Sequence, residues 1–103
     1  MVKLSASCQV ERHGAEEVAC GIIHNPTGRL ALLVQLALTR GHGGPEILPV
    51  LWDDNYVSLM PGESRTITAR FATADTGSET PCLEVGGWNV ETDFDCQTLE
   101  SAP

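Results

Sequence analysis

The sequence predicts an all-β fold built from short antiparallel strands. Apolar and polar residues alternate with a period of two through most of the chain, and helical periodicity is hard to find. Glycine, proline and asparagine turns recur at intervals of about 8–12 residues. The most economical closure is an immunoglobulin-like antiparallel β-sandwich of seven or eight strands. The 103 residues form one domain, in which we expect residues 97–103 to be a frayed tail.

The first two predicted strands, residues 2–12 and 16–24, form a hairpin. Both alternate apolar and polar residues, and His13-Gly14-Ala15 between them provides the turn. If the hairpin is symmetric about Gly14, residues at equal distances from it face each other across the two strands.

Four cysteines suggest a disulfide framework. In a hairpin centred on Gly14, Cys8 faces Cys20 at a distance within disulfide range. Cys82 and Cys96 likewise flank a turn-like Gly-Gly-Trp-Asn. Of the three connectivities open to four cysteines, we favour 8–20 with 82–96. Disulfides persist in oxidising compartments, so this interpretation favours an exported domain.

The run "LALLVQLAL", residues 30–38, predicts the third strand. In a regular strand it places Leu30, Leu32, Val34, Leu36 and Leu38 on one face. A buried helix is the alternative for nine such residues, but the flanking turns and neighbouring strands favour a strand. "RGHGGP", residues 40–45, is predicted to be a loop.

The second half of the chain repeats the strand-and-turn pattern. Met60-Pro61-Gly62-Glu63 has proline and glycine at the two central positions of a type II turn. A polar loop precedes the last predicted hairpin. The predicted strands are 47–52, 56–60, one containing 66–71, 82–85, and a partner within 88–94.

Charge and hydropathy restrict the possible partners. The net charge of −8 and the sequence pI of about 4.6 argue against nucleic acid and anionic membranes, which require basic patches. No run approaches the roughly 20 apolar residues of a membrane span. The N-terminus has no signal-peptide pattern, so we expect either a cytosolic protein or a fragment of a longer chain that begins at Met1.

Paired carboxylates raise the question of catalysis. Asp53 and Asp54 are adjacent, and adjacent residues in a strand point to opposite faces instead of converging on one bond. In a turn they would bond to their own backbone. We therefore predict a structural role for both and no catalytic residue in this chain.

Aromatic and metal-binding residues are the other candidates. Trp52, Tyr56 and Trp88 could stack on sugars, although core packing is the more frequent role of such residues. Trp88 lies in a glycine-flanked segment, so of the three we expect it to be exposed. A metal site would draw on the set Cys8, His13, Cys20 and His24. Its cysteines are too far apart for the usual zinc spacing, so we predict no metal and no cofactor.

The ordered motifs "LPVLWDDNYVSLMPGES" and "PCLEVGGWNVE" resemble the C-terminal β-sandwich of family 2 glycoside hydrolases. The similarity covers roughly residues 16–91. It is strongest to the exo-β-D-glucosaminidases, followed by β-mannosidases and plant-type endo-β-mannosidases. The four cysteines and the "RGHGGP" loop depart from the usual pattern. The matching positions are Trp52, Asp54, Asn55, Tyr56, Pro61, Gly62, Glu63, Gly87, Trp88 and Asn89.

The resemblance implies a non-catalytic accessory domain. Enzymes of this family place their two catalytic carboxylates on a (β/α) barrel, which the 103 residues do not contain, so no catalytic residue can be carried over. The implied partners are the other domains of a parent hydrolase. An independent carbohydrate-binding module using exposed aromatics is the alternative.

Overall fold

A computed structural model describes residues 1–96, which form eight strands in two four-stranded antiparallel sheets. One sheet has the order β1-β2-β6-β4 and the other β5-β3-β7-β8. The predicted sandwich is confirmed, whereas residues 97–103 lie outside the described residues. The elements are β1 (Ser5–His13), β2 (Glu16–His24), β3 (Ala31–Arg40), β4 (Leu51–Trp52), β5 (Val57–Leu59), β6 (Ser64–Ala72), a 3₁₀ helix (Thr73–Thr76), β7 (Pro81–Gly87) and β8 (Val90–Cys96).

The core lies between the two sheets. Alternate residues of each long strand point inward, and removing such side chains from water stabilises the fold by roughly 1.5–3 kcal/mol each. The largest buried apolar side chains come from both sheets, and they include Ile23 and Ile67 on the first, Leu36, Leu38, Leu59 and Leu83 on the second, and Ile47 from a connecting loop.

The edges of the two sheets are joined along β1 and β8. Val2 forms a parallel bridge with Val90: its N–H donates to the Asn89 carbonyl at 2.6 Å, and its carbonyl accepts from the Glu91 N–H at 2.9 Å. Further along, the Asp95 carboxylate accepts a hydrogen bond from the Cys8 N–H at 2.8 Å. The N-terminal segment therefore begins on one sheet and crosses to the other.

The third strand differs from its prediction in its first half. Val34, Leu36 and Leu38 are buried as expected, but Leu30 and Leu32 are exposed and Ala31 enters the core in their place. The register with β5 shifts between Ala31 and Val34, where two β3 residues oppose one residue of β5. This bulge reverses the alternation of faces, which a regular strand would have continued.

The segment before β5 contains less regular strand than predicted. Residues 47–52 and 56–60 shorten to the two residues of β4 and the three of β5. Ile47 is buried and its N–H donates to the Leu38 carbonyl at 2.7 Å, while Pro49 has no N–H to contribute to a ladder. Residues 41–45 of the "RGHGGP" segment form a loop as predicted, whereas Arg40 is still the last residue of β3. The His42 ring packs on Phe94 with centroids 4.4 Å apart.

The two predicted disulfides have different outcomes. Cys82 and Cys96 are facing residues of β7 and β8 and are joined, with Cα atoms 4.1 Å apart. The predicted Cys8–Cys20 disulfide is wrong. Cys8 faces Gly21 instead of Cys20, and the thiols of Cys8 and Cys20 are both free. A shift of one residue turns a side chain to the other side of the sheet, so Cys8 is buried while Cys20 is only half-buried.

Candidate functional site

The Asp-Asp-Asn-Tyr motif is the corner at which the chain leaves the first sheet for the second. Asp53 extends β4 by one position. Its N–H donates to the Thr68 carbonyl at 2.9 Å, and its Oδ1 accepts from the Thr68 N–H at 2.8 Å. The Asp53 carboxylate therefore accepts the hydrogen bond that a backbone carbonyl would accept in a longer β4–β6 pairing. This contact is with a distant strand, whereas the sequence predicted a bond to the neighbouring backbone of a turn.

Asp54 has the local role that the sequence predicts. Its Oδ1 accepts from the Asn55 N–H at 2.9 Å, and its Oδ2 lies 3.5 Å from Arg65 Nη1. Arg65 also reaches Glu63, with Nη2 and Oε2 3.3 Å apart. Ion pairs this exposed contribute little to stability, so Asp54 serves mainly the geometry of the corner.

Asn55 completes the corner by pairing with the backbone of β3. Its Oδ1 accepts from the Leu36 N–H at 2.8 Å, and its Nδ2 donates to the Leu36 carbonyl at 2.9 Å. The same oxygen accepts from the Tyr56 N–H at 2.9 Å. The side-chain amide of Asn55 therefore makes the two hydrogen bonds to β3 that the backbone of a strand residue would make, just before β5 begins.

The Pro-Gly-Glu-Ser segment forms the predicted type II turn. The Glu63 N–H donates to the Met60 carbonyl at 3.0 Å, and Gly62 has φ = 79°, the left-handed value that this position of the turn requires. Glu63 Oε1 also accepts from the Met60 N–H at 2.8 Å. That backbone hydrogen bond, followed by the contact with Arg65, lowers the pKa of the Glu63 carboxyl.

The Gly-Trp-Asn motif forms the two-residue turn between β7 and β8 and also binds β3. Asn89 Oδ1 accepts from the Leu32 N–H and its Nδ2 donates to the Leu30 carbonyl, both at 2.8 Å. The Trp88 N–H donates to the Leu32 carbonyl at 3.1 Å. The backbone of Trp88 is thus fixed against β3 while its indole is 78% exposed.

A third asparagine has a comparable role that the sequence did not indicate. Asn25 is fully buried, and its Nδ2 donates to the carbonyls of Arg29 at 2.6 Å and Leu59 at 3.2 Å. Its Oδ1 accepts from the Thr27 N–H at 3.1 Å. An Asn-Pro-Thr-Gly sequence is typical of a turn, but it does not indicate the bond to the distant Leu59.

The three aromatic candidates do not form one platform. Trp52 is half-buried and packs against the core. Tyr56 is 61% exposed at the corner, next to β5, and Trp88 is exposed at the β7–β8 turn, on the other side of β3. Only Tyr56 and Trp88 therefore remain available to a ligand.

The candidate metal ligands are far apart along the first hairpin. His13 faces Glu16 at the turn, whereas His24 faces Ser5 at the opposite end and its Nδ1 is 2.7 Å from Ser64 Oγ. Residues 1–96 contain no cluster of three or more histidine, cysteine or acidic side chains that could hold a metal ion. Over the same residues, no helix is long and apolar enough to cross a membrane.

One buried carboxylate was also missed by the sequence analysis. Glu17 is buried at the turn end of β2, and within the described residues neither of its oxygens accepts a hydrogen bond. The guanidinium of Arg12, its facing residue, is 3.7 Å away. Removing Arg12 would leave a buried charge uncompensated, so we interpret the pair as structural.

The two sheets and the asparagine contacts define the class of the protein as an immunoglobulin-like module in which motif residues hold the fold together. Residues 1–90 match the family model described as the exo-β-D-glucosaminidase Ig-fold domain. The chain therefore belongs to that domain family, which confirms the resemblance to glycoside hydrolases.

Relatives and solved structures agree with this assignment. The chain is 38% identical over 90 residues to an exo-β-D-glucosaminidase of Streptomyces avermitilis, covering 86% of this chain and 10% of that protein. It is 49% identical over 49 residues to the Amycolatopsis orientalis exo-β-D-glucosaminidase, covering 48% of this chain and 5% of that protein. The crystal structure of the exo-chitosanase CsxA of Amycolatopsis orientalis superposes with a TM-score of 0.88 at 29% identity, over 93% of this chain and 12% of that one. The chain thus spans about a tenth of the length of these relatives.

Proposed function

We propose that this chain is a non-catalytic C-terminal accessory domain of a family 2 exo-β-D-glucosaminidase, and that it packs against the catalytic part and stabilises it. The chain belongs to the family of the Ig-fold domain of such enzymes, and its match covers about a tenth of their length. The substrate chemistry belongs, in this proposal, to the remainder of the parent enzyme.

The observation that carries the proposal is the engagement of the motif's polar groups within the fold. A retaining glycosidase needs two carboxyl groups about 5–5.5 Å apart that converge on one bond. Here Asp53 accepts from the backbone of β6, and Asp54 from the next residue of the corner. Asn55 and Asn89 are likewise occupied by the backbone of β3. These groups act on the domain's own architecture.

Carbohydrate binding remains a second candidate because Tyr56 and Trp88 are both exposed. Aromatic faces of this kind can stack on sugar rings. Titration of the isolated chain with glucosamine oligosaccharides tests it. Saturable binding that is lost in Trp88→Ala would favour this candidate over the scaffold function.

We further propose that the domain works outside the cytoplasm. The Cys82–Cys96 disulfide supports this location, since such bonds persist mainly in oxidising compartments.

A domain exchange tests the scaffold function. In the Amycolatopsis orientalis enzyme, this chain would replace the segment that superposes on it, and activity would be assayed with PNP-β-D-glucosamine, the compound named in two complexes of that enzyme. We expect the chimera to be active and to have a Tm within a few degrees of the parent enzyme, and the segment-deleted enzyme to be unstable.

The isolated chain is the matched control, and we expect it to have no activity. Turnover by the isolated chain, or a deleted enzyme as stable and active as the parent, would refute the proposed function.

A further inference from the structure

We propose that the end of the second sheet at which β3 begins is the face on which another domain of the same parent polypeptide docks. This inference rests on the proposed function and assigns it a surface. The surface, called here the apolar patch, consists of Leu30, Leu32, Leu33, Met60 and Trp88, all of which are exposed.

The members of the patch are neighbours through their backbones. Trp88 donates its N–H to the Leu32 carbonyl, and a Cβ built on Gly87 would lie 3.0 Å from the Leu32 carbonyl oxygen and 3.1 Å from that of Leu33. On the other side of β3, Ala31 faces Leu59 of β5. Because the two strands are antiparallel, the residue before Ala31 lies beside the residue after Leu59, so Leu30 is next to Met60. The patch therefore extends continuously from the β7–β8 turn across β3 to the end of β5.

Exposed apolar side chains are concentrated at this end of the molecule. The patch contributes five of the ten large hydrophobic residues that are exposed within the described chain. The outer face of the first sheet has Ile22 and Leu51. Large contiguous apolar surfaces on a domain mark interaction sites, whereas scattered ones need no explanation.

The side chains of the patch carry no charge, although the chain as a whole has a net charge of −8, and the Glu63 carboxylate that accepts from the Met60 N–H borders the patch. None of its five members is ionisable, and neither is Ser58, which lies opposite the bulge. Centres of protein–protein interfaces are depleted of charged residues and enriched in tryptophan and methionine. The composition therefore fits the centre of an interface.

The backbone under the patch is held in an unusual conformation. Leu32 and Leu33 form the β3 bulge, and Leu33 has φ = 50°, a left-handed value that is rare for a leucine. Asn89 fixes the start of the bulge, because its amide bonds to the Leu30 carbonyl before the bulge and to the N–H of Leu32, its first residue. Bulges re-aim side chains, and strained backbone is maintained where its surroundings determine it. The fold thus presents these leucines outward beside Trp88.

The chemistry favours a protein surface over a sugar as the occupant. A sugar site combines apolar faces with a few available polar groups. The amide of Asn89, the polar side chain at the centre of this region, already bonds β3 through both its oxygen and its nitrogen. The remaining neighbours of Trp88 in the patch are aliphatic side chains and Met60.

The source of the occupant follows from the size of the relatives. The solved Amycolatopsis orientalis chain is covered to only 12% by this domain, so most of such a polypeptide lies outside it and is covalently held nearby. A neighbouring domain at the high effective concentration of one chain can cover the patch with modest intrinsic affinity.

Hydroxyl-radical footprinting with mass spectrometry tests the assignment. The side chains of Trp88 and Met60 would be compared between the isolated chain and the active chimera described above. We expect their oxidation rates to fall about tenfold or more in the chimera. Leu51, which is 73% exposed on the opposite sheet, is the matched control, and its rate should stay within about twofold.

The outcomes separate this inference from the proposed function. Protection of Leu51 instead of Trp88 in a stable, active chimera would overturn the docking face and leave the scaffold function in place. Full reactivity of both in such a chimera would also overturn the docking face, and the scaffold function would then be decided by the segment-deleted enzyme. Protection of Trp88 in the isolated chain by glucosamine oligosaccharides, or by raising its own concentration, would overturn the inference in favour of a sugar site or a homodimer.

A second measurement does not require the chimera to fold. In the natural Amycolatopsis orientalis enzyme, the positions that superpose on Trp88 and on Leu51 can be footprinted directly. The inference requires the first to be protected and the second to react freely, and the reverse pattern would contradict it. In the chimera, Trp88→Ala should shorten the half-life of thermal inactivation by about 30-fold, the equivalent of one interface hot spot, whereas Leu51→Ala should leave it within twofold.

Discussion

The two terminal hairpins, β1–β2 and β7–β8, have turns of the same length, but one of them contains an extra residue in its second strand. Each has a two-residue turn, with His13 facing Glu16 in one and Gly87 facing Val90 in the other. In such a hairpin, facing residues are always separated by an odd number of positions. Each hairpin has a cysteine pair separated by an even number, so a regular ladder can join neither pair.

Only the β7–β8 hairpin corrects the mismatch. Its register shifts between Val85 and Gly87, where Glu91 and Thr92 of β8 stand opposite Gly86. The extra residue brings Cys96 opposite Cys82, whereas a regular ladder would have placed Asp95 there. The β1–β2 register has no shift from turn to end, so Cys8 faces Gly21. A bulge, not cysteine spacing, decides which pair is joined.

Deleting Gly86 should have the largest effect on this comparison. The deletion moves Cys82 out of register with Cys96 and displaces buried residues of β7. We expect four free thiols instead of two, and a loss of more than about 3 kcal/mol in the free energy of unfolding, the amount attributed to a disulfide closing a 15-residue loop. Thiol titration in denaturant and urea unfolding measure these quantities.

Deleting Thr92 is the matched control for that experiment. It removes the extra residue of β8 and keeps Cys96 opposite Cys82, so the disulfide should form and two thiols should remain free. If deletion of Gly86 left the disulfide intact, the explanation by register would be wrong.

A cysteine placed in register should form a disulfide in the β1–β2 hairpin. Gln9 faces Cys20, so Gln9→Cys places two cysteines opposite each other on the outer face of the first sheet. We expect a new disulfide, one remaining free thiol, and a gain of roughly 1–3 kcal/mol in the free energy of unfolding. Gln9→Ser controls for the substitution itself. Three free thiols after oxidation would contradict the register described here.

The smallest effect should be in the reactivity of the two unpaired thiols. Burial, then the carboxylate of Asp95 and then Cys20, raise the pKa of the Cys8 thiol to about 12. Because the thiolate is the reactive form, Cys8 should be almost inert to iodoacetamide at pH 8 and gain reactivity only as the pH approaches 12. Peptide mass spectrometry should detect alkylation of half-buried Cys20 first.

Asp95→Asn sharpens this prediction. It should lower the pKa of Cys8 only in part, because burial is the largest cause of the shift. Alkylation of Cys8 as fast as Cys20 at pH 8 in the unsubstituted chain would show that β1 does not hold its thiol inside the sandwich.

The difference between the hairpins also explains how much the sequence could predict. Alternation was sufficient for β1, β2 and β6, because these strands have no register shift along their pairing. It failed at the start of β3, because a bulge has no mark in a run of consecutive apolar residues. In each case the predicted pairing is wrong by one residue. At the start of β3 the error misplaces the leucines, and in the β1–β2 hairpin it places Cys8 opposite Gly21 instead of Cys20.

The motif residues were recognised, but their contacts could not be derived locally. Asn55 and Asn89 bond to backbone groups of β3 that lie 19 and 57 positions away in the chain. Local patterning predicts turns, such as the one at Gly62, but not which distant strand completes the hydrogen bonds of an amide. Glu17 and Asn25 illustrate the same limit, because polar residues are buried here by the packing of distant strands.

The Cys82–Cys96 bond also determines how the module would respond to mechanical tension. A pulling force applied beyond Cys96 passes through the disulfide to Cys82, and the intervening 14 positions cannot be drawn out as an extended chain. That removes up to about 50 Å of extension at roughly 3.5 Å per residue. The load is delivered into β7, a central strand of its sheet, while Val2 anchors the other end to the start of β8. β8 is therefore shielded from being peeled away by the chain that follows it.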